Sequence, residues 1–233
     1  MKTQKVRAYP ETSIIALLGK RVQLKNIIGN MILNNKDAFV TVSDSFEWKA
    51  KKLFKIIKTP DFFNEGCLNP DQQIIDLMAL SYPGPKLFIL AVDSENTKEE
   101  KVMAQIKQLQ DAFGEKITSN LAVTLPDIES FQSLNHLREK LCIMLTIANE
   151  NLASKCVEWC SGRQPFLYDY KSYIEKAVNR RRATLQNRGF SGHGSPPYGQ
   201  WRADISEQAC GGVSEPDQHT GMLQKILYIF INV

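Results

Sequence analysis

The stretch Ser13–Leu33, SIIALLGKRVQLKNIIGNMIL, constrains the fold more than any other part of the chain. It opens on the apolar run Ile14-Ile15-Ala16-Leu17-Leu18, the pattern of a strand buried on both faces of a parallel sheet. Gly19 ends the run, and Ile27, Ile28, Met31 and Ile32 then recur at helical spacing. Strand, tight loop and helix in that order is the frame of a phosphate-binding P-loop, whose usual pattern is G-x-x-x-x-G-K-[ST]. On that pattern Gly19 is the first glycine, Leu24 stands where the second belongs, Lys25 is the lysine, and Asn26 replaces Ser/Thr. The candidate phosphate contacts are therefore Gly19, Lys20, Arg21, Val22, Gln23, Leu24, Lys25 and Asn26.

Each departure has a physical cost. The second glycine lets backbone N–H groups close around phosphates with no side chain in the way, and Leu24 puts a branched side chain there. The Ser/Thr hydroxyl ligates Mg²⁺; the neutral, longer amide of Asn26 predicts weaker metal binding. Lys25 keeps the point charge for the β- and γ-phosphates. On these residues alone, an ordinary β-turn-α unit with a lysine near its helix N-terminus explains the stretch as well.

Further along, Asn34–Asp37 reads as a turn, and Phe39–Trp48 and Leu53–Thr59 as strands joined by the turn Lys49–Lys52. Pro60 opens a loop, and a helix starts near Pro70 and carries Ile74, Leu77 and Leu80 inward. Pro83-Gly84-Pro85 breaks it before the apolar strand Leu87–Val92. Thr97 and Glu100 form a capping box for a helix to Phe113, with Gly114 as its stop. Ile117–Thr124 reads as a strand, about 128–159 as helices, and Tyr170 to about Gln186 as a last helix. Strands alternating with helices predict an α/β fold: a doubly wound, mostly parallel sheet with helices on both faces. Ligands of such sheets sit at the carboxyl ends of the strands, which singles out Gly19–Asn26, Lys58–Phe63 and Thr124–Asp127.

These loops carry a family resemblance. The segment GKRVQLKNIIGNMILN resembles the P-loop helix GKTGVGKSATGNTILG of the immunity-associated GTPases (GIMAP proteins), septin-related P-loop G-domains, keeping Gly19, Lys20, Lys25, Gly29, Asn30, Ile32 and Leu33. Lys58–Asn64 resembles that family's DTPGLFD, and Leu80–Leu90 its LSAPGPHAFLLVL. Thr124-Leu125-Pro126-Asp127 aligns with its base-reading TRKD, and Cys160–Arg163 with its CGxR. The resemblance spans about Ser13 to Gln186. It implies a P-loop G-domain over 13–187, GTP or GDP as ligand, Mg²⁺ as cofactor, and dimers with itself or with related G-domains. Asp127 is then a base contact, the alternative being a helix N-cap before Ile128.

Most residues that would handle GTP depart from the family. Lys58 reverses the charge of the aspartate that holds the Mg²⁺ water shell, and Asp61 stands where a glycine N–H meets the γ-phosphate. The asparagine beside the base falls at Tyr168 or Asp169, and Phe39–Lys58 is too short for the family's first switch loop. The expectation is weak guanine-nucleotide binding with hydrolysis weak or absent or, alternatively, a nucleotide-free interaction module that pairs with active relatives.

The remaining signals set limits. A net charge of +4 on 233 residues gives no argument for nucleic acid. Five irregularly spaced cysteines complete no zinc pattern and read as reduced thiols. The polar N-terminal extension, residues 1–12, lacks a signal-peptide core, so a cytoplasmic location is expected. Lys176, Arg180, Arg181 and Arg182 form a basic cluster, read either as a solvated face or as a contact for anionic membrane. His136, His193 and His219 stand without a nucleophile or metal partner. Residues 188–233 are rich in Gly, Ser and Pro and read as a disordered tail.

Overall fold

The computed structural model describes residues 12–64, 70–169 and 172–187, with the backbone alone at 172–174 and 185–187. The expectations for residues 1–11 and 188–233 lie outside that range, as do His193 and His219. Six strands form one sheet: β1 Ser13–Leu18, β2 Glu47–Lys51, β3 Phe54–Lys58, β4 Leu87–Ala91, β5 Leu121–Leu125 and β6 Met144–Ile147. Their order is β2-β3-β1-β4-β5-β6. Every neighbouring pair is parallel except β2 with β3. β1 pairs with β3 on one side and β4 on the other, so the order reverses there and leaves a crevice above their carboxyl ends.

Alternation along the strands divides the core in two. Ile15, Leu17, Ile56, Leu87 and Ile89 pack with α1 (Val22–Leu33) and with Leu152, Cys156 and Cys160 of the helix Leu152–Cys160. On the other face Phe88 meets Phe113 of the helix Glu99–Phe113 at 5.5 Å between ring centroids, and Lys55 donates to Leu80 O of the helix Pro70–Leu80 at 2.7 Å. Helices therefore cover both faces, as the alternating pattern predicts. The proline-glycine box is tied to the end of the domain, where Phe166 N–H donates to Pro85 O at 2.8 Å.

Several boundaries differ from the sequence reading. Phe39–Phe46 is an irregular loop, and Lys49–Lys51, expected in a turn, belongs to β2. The hairpin turns instead at Lys52, whose φ is +51°. Ile117–Asn120 lies in a 3₁₀ turn, and β5 begins only at Leu121. β6 lies inside the stretch read as helices, between the short helices Ile128–Leu134 and Leu137–Leu141 and the helix Leu152–Cys160. The capping box at Thr97 does not form: the N-cap is Lys98, and the Thr97 hydroxyl donates to Ser94 O at 3.5 Å.

The basic cluster on the last helix, Ser172–Asn187, is only in part a solvated face. Arg181 is nearly buried and pairs with buried Asp76 at 3.0 Å, while Arg182 stacks 3.6 Å from the Tyr82 ring. These contacts seat the last helix on Pro70–Leu80.

Candidate functional site

The crevice is built from the loops after β1, β3 and β4. Gly19 has φ +140°, and a Cβ there would lie 2.7 Å from Ala91 O, so only glycine lets β1 turn this close to β4. After it the chain has only Lys20 and Arg21 before α1 starts at Val22. Val22, Gln23 and Leu24 are thus the first helical turn and not an open cradle, and Lys25 N–H is spent on Arg21 O at 3.2 Å. Val22 is buried and Leu24 packs against the core cluster that includes Ile28, Leu152 and Cys156. These apolar contacts wind into helix what a second glycine would leave as loop. Arg21 is turned to the β4 side, where it pairs with Glu95 and, at 3.6 Å, with Asp93. Lys20 and Gln23 are exposed.

Lys25 is fully buried, and its ammonium donates to Thr59 O at 2.8 Å and to Asp44 Oδ1 at 3.4 Å. Burial pushes its pKa down, and the Asp44 carboxylate partly offsets this. The other oxygen of Asp44 accepts from Asp61 N–H at 3.0 Å. Asp61 in turn accepts from Phe63 N–H at 2.8 Å, and burial raises its pKa.

Beside this pair, Lys58 is buried among oxygens. Its Nζ lies 2.8 Å from Glu47 Oε2, 2.8 Å from Thr41 Oγ1, 3.0 Å from Asn26 Oδ1 and 3.4 Å from Thr41 O. Asn26 also donates to Thr41 O at 2.9 Å, and the Thr41 hydroxyl donates to Glu47 Oε2 at 2.7 Å. An ammonium fixed on β3 thus saturates these oxygens, among them that of Asn26 at the Ser/Thr position of the pattern. Mg²⁺, which requires oxygens at about 2.0–2.1 Å, does not fit beside it. Among the described residues no cluster of His, Cys, Asp or Glu offers a metal site elsewhere. Cys156 and Cys160 are buried thiols whose pKa values burial raises.

On the base side, Asp127 is the N-cap of the helix Ile128–Leu134, its Oδ1 accepting from Ser130 N–H at 2.7 Å, which lowers its pKa. Tyr168 and Asp169, where the sequence placed the last base contact, lie outside the sheet; the strand beside β5 is β6, parallel to it with Leu125 opposite Ile147. The end of β6 leads into Ala148-Asn149-Glu150-Asn151, while the Tyr168 hydroxyl donates to Ala112 O at 3.1 Å and Asp169 is exposed. Sequence reasoning missed Thr41, Asp44 and Glu47. The signal for them was an oxygen-bearing run, Thr41 to Glu47, lying a loop's length after α1. His136, the N-cap of the helix Leu137–Leu141, lies 3.2 Å from Glu99.

The order of the sheet, the βα turn at Gly19 and the buried lysine one helical turn beyond it define a G-domain of the P-loop type. The chain belongs to the AIG1 family, which matches residues 14–187. Comparison with curated proteins gives no match. Among solved structures, Toc33 from Arabidopsis thaliana in complex with GDP and Mg²⁺ is 16% identical with a TM-score of 0.43, covering 68% of this chain and 88% of that one. A probable GTP-binding protein engB is 16% identical with a TM-score of 0.47, covering 65% and 100%. The FeoB G-domain from Methanococcus jannaschii is 16% identical with a TM-score of 0.41, covering 72% and 99%. All three scores are low, and the family assignment stands on the sequence match.

Proposed function

We propose that this AIG1-family protein belongs to the immunity-associated branch and is a G-domain whose nucleotide site is held shut by its own side chains. Guanine nucleotide then binds weakly and is not hydrolysed, and the domain works through protein contacts, including pairing with related G-domains in the cytoplasm. One observation carries this reading: the ammonium of Lys25, the lysine of the G-x-x-x-x-G-K pattern, is buried and bonded to Thr59 O and Asp44. A triphosphate must displace Asp44 before it reaches Lys25. Charge-assisted contacts are worth about 1.5–3 kcal/mol each, less where a partner is exposed as Asp44 is. Breaking the Lys25 and Asp61 contacts to Asp44 therefore costs about 2–4 kcal/mol, or roughly thirty- to several-hundred-fold in affinity.

A second reading, residual nucleotide binding, is favoured by Asp127 and Asn149 at the ends of adjacent strands. Calorimetric titration with GTP, GDP and ATP, each with and without Mg²⁺, separates the two. The expected result is no saturable binding below about millimolar concentration. Weak GTP and GDP binding that discriminates against ATP and ignores Mg²⁺ supports the residual mode. Tight, Mg²⁺-dependent GTP binding overturns the proposal.

A further inference from the structure

In P-loop GTPases the closed switch loop is ordered by two things it grips, the γ-phosphate and the Mg²⁺ bound to it. The phosphate is met by the P-loop lysine and by a backbone N–H after the third strand; the metal is met by the P-loop Ser/Thr and the switch loop. In this protein both sets of groups are engaged, and each by a side chain of the protein.

Lys25 Nζ and Asp61 N–H, the two donors at the γ-phosphate positions, converge on the two oxygens of the Asp44 carboxylate, at 3.4 and 3.0 Å. Asn26, at the Ser/Thr position, and Thr41, on the loop, both turn oxygens toward the Lys58 ammonium, with Glu47 Oε2 completing the set. The anion thus engages the two groups at the γ-phosphate positions of the pattern, and the cation engages the residue at its metal-ligand position. The loop Phe39–Phe46 makes no strand pairing. It is held by these contacts and by Asn30, whose amide accepts from Phe39 N–H at 2.7 Å and donates to Phe39 O at 3.1 Å. Val40 and Val42 point into solvent from the loop so held, at 66% and 76% exposure.

We infer that Asp44 and Lys58 are a built-in anion and cation that replace the γ-phosphate and its metal ion, locking Phe39–Phe46 in the closed position without nucleotide. The inference rests on the reading of a shut site, and it adds what the shutting does. The loop and its two exposed valines stay permanently presented, where a nucleotide-driven relative would present them only in one state.

The test uses the full-length chain and two single variants. Asp44→Ala releases both γ-phosphate donors, and because Asp44 is 42% exposed the variant leaves no buried hole. Backbone hydrogen exchange over 39–46 and at Asp61 is expected to rise at least tenfold, and millimolar inorganic triphosphate to restore part of the protection. Lys58→Ala leaves the oxygens of Asn26, Thr41 and Glu47 around an emptied cation position. Mn²⁺ titrated alone and followed by electron paramagnetic resonance is expected to bind one equivalent, with none on the parent protein and none on Lys58→Ala/Glu47→Gln. Exchange in Asp44→Ala that matches the parent overturns the inference, as does a folded Lys58→Ala that takes up no Mn²⁺. Should Lys58→Ala fail to fold, the Asp44→Ala result decides alone. Tight GTP binding by the parent protein instead overturns the shut-site reading itself.

Discussion

Leu24 is the residue at which a glycine is most conspicuously lacking, and Leu24→Gly tests why. If the leucine only blocks phosphate, the exchange should open the loop at little expense. If it is a structural member of the first helical turn, the exchange should destabilise the domain and yield no binding. Two terms set the size. Gly is about 0.8–1 kcal/mol less favourable than a good helix former inside a helix. A fully buried Leu→Ala change removes about 2–5 kcal/mol, and Leu24 is only partly buried against its cluster, so roughly half that applies. The sum is about 2–3 kcal/mol, a large share of the 5–15 kcal/mol typical of a folded domain. Urea unfolding followed by circular dichroism measures it, with Tm expected to fall by roughly 5–10 °C. GTP titration of the same variant should show no gain, because Lys25 and Asp61 still hold Asp44. Only with Asp44→Ala added to Leu24→Gly, Asn26→Ser, Lys58→Asp and Asp61→Gly should affinity rise by tenfold or more. A loss below about 0.5 kcal/mol together with a tenfold gain in GTP affinity from Leu24→Gly alone would falsify the helical account of this turn.

Three other outcomes are expected. Gly29→Ala places a Cβ 2.7 Å from the buried Phe39 ring and 3.2 Å from Leu17 Cδ1, so despite better helix propensity it should cost about 1–2 kcal/mol by urea unfolding and loosen the 39–46 loop. Lys55 is lowered to about 8 by burial, so between pH 8 and about 10.4 the unfolded chain holds more protons and stability rises with pH. Its bond to Leu80 O and its place 4.8 Å over the Trp48 ring offset part of the burial. Lys55→Met should therefore gain about 1–2 kcal/mol at pH 7 and flatten the slope above pH 8, leaving the smaller part due to Lys25 and Lys49, which burial also lowers. A chain ending at Asn187 should keep the Tm of the full protein within about 2 °C, since residues 188–233 carry no sustained apolar period; a larger drop gives the tail a structural role.

The sequence was most legible where one kind of physics acted alone. The runs Ile14–Leu18 and Leu87–Val92 are buried on both faces, and nothing but a central strand accommodates them. Met144–Ile147 is as apolar but only four residues long, and between helix formers its period cannot be told from a helix face. Phe39–Val42 alternates like a strand, yet its backbone is held by Asn30, Asn26 and Lys58 side chains, and its valines face outward. The candidate site was legible in position but not in content. Lys25 and Asp61 could be aligned; Asp44, which joins them, lies 19 and 17 residues away along the chain. Nothing in the local pattern announces that a lysine at position 58 will find three oxygen-bearing partners across the loop.

The rims of the sheet bear on how copies of such a domain can meet. Among the described residues β2 is one rim, and its sequence, Glu-Trp-Lys-Ala-Lys, sets lysines along a strand that pairs on one side only. Charge of that kind discourages a second chain from docking edge to edge, and the four-residue β6 offers too little length for docking on the opposite rim. Growth by strand addition, the route to fibres and swapped sheets, is therefore disfavoured at both rims of the described sheet. Contacts through the helices and loops are favoured instead, whose side chains can be specific in a way that a bare backbone ladder cannot.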